Sequence, residues 1–302
     1  VRVDRLDLNQ QVLKDPYILF PYYTVGELAN SPIDQDNITI PANIGQDFAV
    51  YTNKTSTEIV GFRSGNQYYD ASGAPITNTT ELANAGGGSI QPFLKNPAQA
   101  EGEDKTLPAE SFVDYQPQTV VMPRIAFNFP ITEQALFIAH YDLLAQRPTT
   151  NLSRLDPFDY LDLLNERAPG VDQIASNPNL KPQKTTDYEV GFKQALTKKS
   201  AVKIAAFYRE LRDLLQTVNY AEAYPRTYVA YGNRDFGTVK GFSLEYEMRR
   251  TNNIRLDANY TLQFANGTGS SATTGANLAL AGQPNLRYLQ PLDYDNRHQI
   301  LV

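Results

Sequence analysis

The chain has 302 residues, a net charge of −6 and no Cys. That balance argues against a general nucleic-acid binder, which needs a basic surface to release counterions from phosphate, and the missing Cys excludes disulfides and thiolate metal sites. No run of about eighteen apolar residues occurs, so no transmembrane helix is expected; strands that alternate apolar and polar residues escape that criterion.

Residues 1–8 read as the end of a strand with Arg2 and Asp4 inward. Residues 9–118 form an unusually long connection that carries Tyr22-Tyr23, the run Gly86 to Gly88, and acidic Glu101, Glu103 and Asp104. Connections of that size are usually functional or disordered. Aromatic rings beside carboxylates suit a polar ligand, which makes Tyr22, Tyr23, Glu101, Glu103 and Asp104 ligand-contact candidates; ordinary solvated-loop chemistry explains them as well. Asp34-Gln35-Asp36-Asn37 opens like a calcium loop, but Ile38 stands at the third ligand position and no Glu closes it, so an EF-hand is rejected.

Three hairpins follow. The first runs from Arg124 to Tyr141 and turns at Pro130-Ile131-Thr132-Glu133, with Ile125, Phe127 and Phe129 opposite Phe137, Ala139 and Tyr141. Asp156-Pro157 then caps a short amphipathic helix bearing Phe158, Leu161 and Leu164. The second hairpin sets Tyr188, Val190 and Phe192 against Val202, Ile204, Ala206 and Tyr208 across the turn 196–200; 208–215 also fits a helical period, so its end stays open.

The third hairpin, 239–264, has Val239, Phe242, Leu244, Tyr246 and Met248 on one face, with a bulge expected at Gly241. After the turn 249–253, residues 254–264 alternate without an error, apolar from Ile254 to Phe264 and polar from Arg255 to Gln263. Placing Met248 opposite Ile254 sets Glu247 opposite Arg255.

Short turns at 130–133, 195–200 and 249–253 alternate with long connections at 9–118, 143–184, 216–238 and 265–297. With strands long enough to cross bilayer hydrocarbon, this pattern predicts an all-β fold: a partial antiparallel transmembrane β-barrel with long extracellular loops. The lumen-facing candidates are Arg124, His140, Glu189, Lys193, Lys203, Glu245, Glu247, Arg255 and Asp257. A soluble sandwich with the same alternation stays open as an alternative. His140 and His298 have no obvious catalytic partner, and no cofactor, metal site or enzymatic activity is expected.

The segment Asn177-Pro178-Asn179-Leu180-Lys181-Pro182-Gln183-Lys184-Thr185-Thr186-Asp187-Tyr188-Glu189-Val190-Gly191-Phe192 resembles the NPxLKPE-(T/S)-xxYExG signature of TonB-dependent outer-membrane receptors, with Gln183 in place of Glu. The stretch from Ala206 to Leu215 is similar to that family's xxFYxxIxDLI strand, and Asn233 to Glu245 to its GxExE strand entry. Pro123-Arg124-Ile125-Ala126-Phe127 resembles the SPRIGF strand of the Oar-like, Bacteroidetes-type branch, and Asp295-Asn296-Arg297-His298 its DxRH motif.

The resemblance implies energised uptake of a bulky solute such as a siderophore, glycan or peptide. Its expected partners are outer-membrane lipid, the TonB complex and a surface lipoprotein. The family's plug and TonB box would lie upstream of Val1 and its last strand beyond Val302. A passive porin, or a soluble extracellular β-protein binding glycans, are the rival readings.

Overall fold

The computed structural model describes all residues except 35, 37, 102–104, 154–173 and 286. The helix expected after Asp156, together with Glu103 and Asp104, falls outside the described residues. Eight short strands come first: β1 (Arg2–Leu6), β2 (Gln11–Leu13), β3 (Ala49–Thr52), β4 (Ile59–Ser64), β5 (Gln67–Asp70), β6 (Pro75–Ile76), β7 (Phe112–Asp114) and β8 (Gln118–Met122). The long strands are β9 (Arg124–Thr132), β10 (Ala135–Gln146), β11 (Gln183–Thr197), β12 (Ser200–Tyr220), β13 (Tyr228–Thr251) and β14 (Ile254–Gly267). Short β15 (Gln290–Pro291) and β16 (His298–Leu301) both pair with β14.

From β9 to β14 each strand pairs antiparallel with its sequence neighbour, giving an open meander. In the first hairpin Phe129, Phe127 and Ile125 face Phe137, Ala139 and Tyr141, as the alternation predicts. All three hairpin turns are tighter than expected and close at Thr132 with Ala135, Thr197 with Ser200, and Thr251 with Ile254. Side chains account for the tightening. The Thr197 hydroxyl oxygen accepts the amides of Lys199 and Ser200 at 3.1 and 3.0 Å. Asn252 and Asn253 both take the left-handed backbone (φ 48° and 70°) that suits a two-residue hairpin loop.

The longer ladder moves Met248 opposite Leu256 rather than Ile254, so Glu247 faces Asp257 and not Arg255. A two-residue shift of this kind leaves every side chain on its expected face, because the strand period is two. Gly241 does not form the expected bulge. It pairs regularly with Phe207 and Gln263, which puts Val239 and Phe242 on opposite faces. A Cβ there would sit 2.0 Å from the Leu262 carbonyl oxygen and 2.9 Å from the Phe207 ring, so this Gly serves a close approach.

One face of the meander is apolar and open. Its rows of facing residues include that of Ile125, Tyr141, Tyr188 and Tyr208, which runs on through Lys240 to Phe264, and that of Phe129, Phe137, Phe192, Ile204, Leu244 and Tyr260. Ile204 is 53% exposed and Phe127 54%, values that a water-soluble sheet would bury. Beyond the tyrosine row this face turns polar at Thr186, Glu210, Thr238 and Asn266.

The connection 216–238, expected as a loop, is largely strand. β12 runs on to Tyr220, β13 starts at Tyr228, and only 221–227 joins them; the helical reading of 208–215 is overturned as well. The ribbon reaches so far because both of its faces are covered. On one, Val218, Tyr220, Tyr228 and Ala230 share a core with Ile18, Leu19, Tyr51 and Tyr68 of the 7–117 segment, and Tyr220 stacks on Tyr228 at 4.9 Å. On the other, the Thr217 hydroxyl donates to the Ala272 carbonyl at 2.9 Å and Asn285 donates to the Thr217 carbonyl at 2.6 Å. An internal bulge at 212–213, with Asp213 at φ 57°, re-aims the strand where it leaves the tyrosine row.

The 7–117 segment is folded. Ladders β1 with β8 and β2 with β7 form its neck, and β3 to β6 make a four-stranded sheet. Val25, Leu28, Val50, Phe62 and Phe93 fill a core of its own. The Arg63 guanidinium is 4% exposed, pairs with Asp15, donates to the Tyr51 hydroxyl at 2.8 Å and lies over the Tyr17 ring at 4.9 Å. Breaking such a buried pair from one side strands a charge and costs about 3–5 kcal/mol, whereas removing both charges costs less. We therefore expect Arg63→Met to lower the opening free energy of this segment more than the double change Arg63→Met/Asp15→Leu. Hydrogen exchange at the Val50 and Phe62 amides measures the difference.

Candidate functional site

The meander's second face carries the charges. Register brings Arg124, Asp142, Asp187 and Arg209 into one row of neighbours. Arg124 donates twice to Asp142, at 2.7 and 2.5 Å, and Arg209 donates to Asp187 at 3.0 Å. One residue pair towards the turns, His140 lies beside Glu189. Lys203 then bridges Glu189 at 3.1 Å and Glu245 at 3.5 Å, and Lys193 meets Glu247 at 3.7 Å. Arg255 pairs with Asp257 at 2.9 Å along its own strand, which replaces the partner expected in Glu247.

All nine predicted residues thus lie on one sheet face, and the eight charged ones are each in an ion pair. Most of these pairs are solvated, and exposed pairs contribute only about 0–1 kcal/mol apiece. Their consequence is electrical. Like charges do oppose each other at Asp142/Asp187, Lys193/Lys203 and Glu247/Asp257, but each is met by an opposite charge in its ion pair, so this face presents little net field to a solute. The alternation puts Asp187 and Arg209 on the polar face without making them candidates and leaves Asp142 unmarked, although its even spacing from His140 places it there once the strands are paired.

The surface candidates fare differently. The Tyr22 hydroxyl donates to Asp15 at 2.9 Å, and burial together with that carboxylate pushes its pKa upward, so it stays protonated and committed to the Arg63 cluster. Tyr23 packs its ring on Phe93 at 4.8 Å. Glu101 is exposed at the end of the 3-10 turn Pro97–Ala100. His298 is not isolated: its Nδ1 lies 2.9 Å from the Tyr260 hydroxyl.

At the loop end two of the motifs meet. The Asn233 side chain accepts the Lys181 amide at 2.7 Å and donates to the Lys181 carbonyl at 2.9 Å and the Asp213 carbonyl at 2.7 Å. Asn177 donates to the Tyr231 carbonyl at 2.7 Å, while Leu180 and Pro178 are fully buried. The 177–182 segment is thereby clamped along β13, and it ends where β11 begins. Beside it, β10, β11, β12, the 268–289 connection and Tyr294 line a half-open cavity of about 460 Å³ on the charged face's side, which no sequence signal marked. Asn233→Ala leaves the Lys181 amide and two carbonyls without partners, and we expect a loss of about 1–3 kcal/mol. Faster hydrogen exchange at Lys181, with β11 unaffected near its turn, is the expected readout.

Comparison with known proteins places this arrangement. The model of the family described as "TonB dependent receptor-like, beta-barrel" matches residues 112–297. Similar solved structures include the FrpB iron transporter from Neisseria meningitidis in its apoprotein form, with 17% identity over 49% of this chain and 20% of that chain, TM-score 0.34. The outer membrane transporter YddB from Escherichia coli is 16% identical over 56% of this chain and 24% of that one, TM-score 0.37. The chain thus spans about a quarter or less of the length of these structures. No curated protein matches. The family model covers more than half of the chain, including all six long strands; the protein belongs to the TonB-dependent receptor-like β-barrel family of the bacterial outer membrane.

Proposed function

We propose that this chain supplies a stretch of barrel wall and the loop-end crown of a receptor that takes up a bulky solute, driven through the TonB complex. The observation that carries the reading is the two-faced meander: an exposed apolar face fits lipid, and a face of paired charges fits a wet lumen. In this reading the two-residue turns lie on the periplasmic side and residues 7–117 outside the cell. Arg124, His140, Glu189, Lys193, Lys203, Glu245, Glu247, Arg255 and Asp257 then line the lumen.

The unpaired edge of β9 along 124–132 supports the same reading, because open backbone groups are costly in hydrocarbon and call for further strands. The stretch beginning at Pro123 that resembles the Oar-like branch enters β9, and we assign the chain to that branch on that basis. A surface lipoprotein would have the folded 7–117 segment as its landing site.

Two experiments test this. Accumulation of the receptor's solute in cells should vanish when TonB is deleted; undiminished accumulation would overturn the energised mechanism. For the facing, Leu244→Arg sits midway between the tyrosine row and the turns and should cost about 2–4 kcal/mol of bilayer stability. Asn259→Arg, opposite Glu245 on the charged face, should be tolerated. Urea titration of the receptor refolded in lipid vesicles reads both, and equal costs would refute the assigned faces.

A further inference from the structure

The cavity at the loop end differs in chemistry from the wall beneath it. Leu144, Thr185 and Leu211 line it as one row of strand neighbours, Gln146 and Gln183 sit side by side in the next, and Leu214 joins the lining from β12. No Asp, Glu, Lys, Arg or His is among its described lining residues. Of the carboxylates nearest it, Asp142 and Asp187 pair with Arg124 and Arg209, and Asp235, packed behind Gly269, accepts the Thr268 hydroxyl on one oxygen and is otherwise buried; no cation lines the space. At about 460 Å³ the space falls within the range of small-molecule sites, roughly 300–1,000 Å³.

The lining discriminates among solutes. An anionic complex entering here would lose hydration and meet no counter-charge. A bare metal ion would find no ligand set, since no group of three or more His, Cys, Asp or Glu side chains able to hold one occurs among the described residues. A sugar would have a single aromatic ring, Tyr294, to lie against. A peptide finds more. Each Gln carries both a donor and an acceptor, matching the N–H and C=O of a peptide backbone, and the leucines take aliphatic side chains out of water.

We propose that this cavity binds an uncharged, aliphatic segment of an oligopeptide. The inference rests on the reading of the charged face as the lumen wall, which puts the cavity at the outer mouth of the barrel. The solute is then selected by its neutrality and its methyl groups, with the paired charges below offering no competing attraction.

The test uses the receptor as its own outer membrane holds it, purified in detergent and titrated calorimetrically with N-acetyl-Ala-Leu-Ala-Leu-amide. Maltoheptaose and ferric citrate serve as the comparison solutes. The peptide should bind saturably, and Leu214→Glu and the near-isosteric Thr185→Val should each weaken it, the former at least tenfold. Heat-modifiable gel mobility verifies that both variants keep their barrel. Absence of peptide binding, binding unchanged in both variants, or maltoheptaose or ferric citrate occupying the site with the same sensitivity to Leu214→Glu would each overturn the assignment. The two readings fail separately. If the peptide binds as expected but accumulates in cells lacking TonB, energised uptake falls and the cavity assignment stands. If TonB-dependent uptake of another solute persists with no peptide bound, only the cavity assignment falls.

Discussion

Backbone amides and carbonyls in hydrocarbon have no water to turn to, so each must be met by the neighbouring strand. The whole meander follows from this. Once β9 to β14 are locked rung by rung, a side chain's face is decided by whether its number is odd or even within its strand. The apolar rows and the charged rows are two readings of one set of registers. Gly241 shows how closely the pairing is held: the ring of Phe207 and the carbonyl of Leu262 occupy the space a Cβ would need.

Beyond the tyrosine row the constraint changes. What keeps β12 and β13 extended there is packing on both faces, by the 7–117 core on one side and the 268–289 connection on the other. The 7–117 segment is tied down at its neck by two short ladders and at its far side by the shared tyrosine core. The segment is thus held at two places against the far end of the sheet, and the buried Arg63–Asp15 pair with the hydroxyls of Tyr22 and Tyr51 gives it a polar centre.

Function divides along the same line. The wall neutralises itself pair by pair, from Arg124–Asp142 to Arg255–Asp257. In the reading proposed above, selectivity on this stretch falls to the neutral groups of the cavity framed by Leu214, Gln183 and Thr185. The Asn233 clamp on Lys181 joins two separate motifs: one fixes the strand entry of the other.

Alternation along 125–129, 137–141, 188–192 and 254–264 was enough to determine the strands, their faces and the lumen candidates, because a period of two needs no knowledge of partners. Register was not legible to the residue. Turn length depends on Thr197 and on Asn252-Asn253 satisfying or adopting tight loops, and that moved Glu247 from Arg255 to Asp257. The far ends of β12 and β13 were illegible for a different reason. Their extended shape from Leu215 to Tyr220 is imposed by contacts with residues some two hundred positions away, such as the Tyr228 hydroxyl on the Pro16 carbonyl. The sequence by itself determined most of the sheet's apolar face. Only the tertiary structure decided how far the strands continue past it, because packing between distant segments leaves no periodic trace in either one.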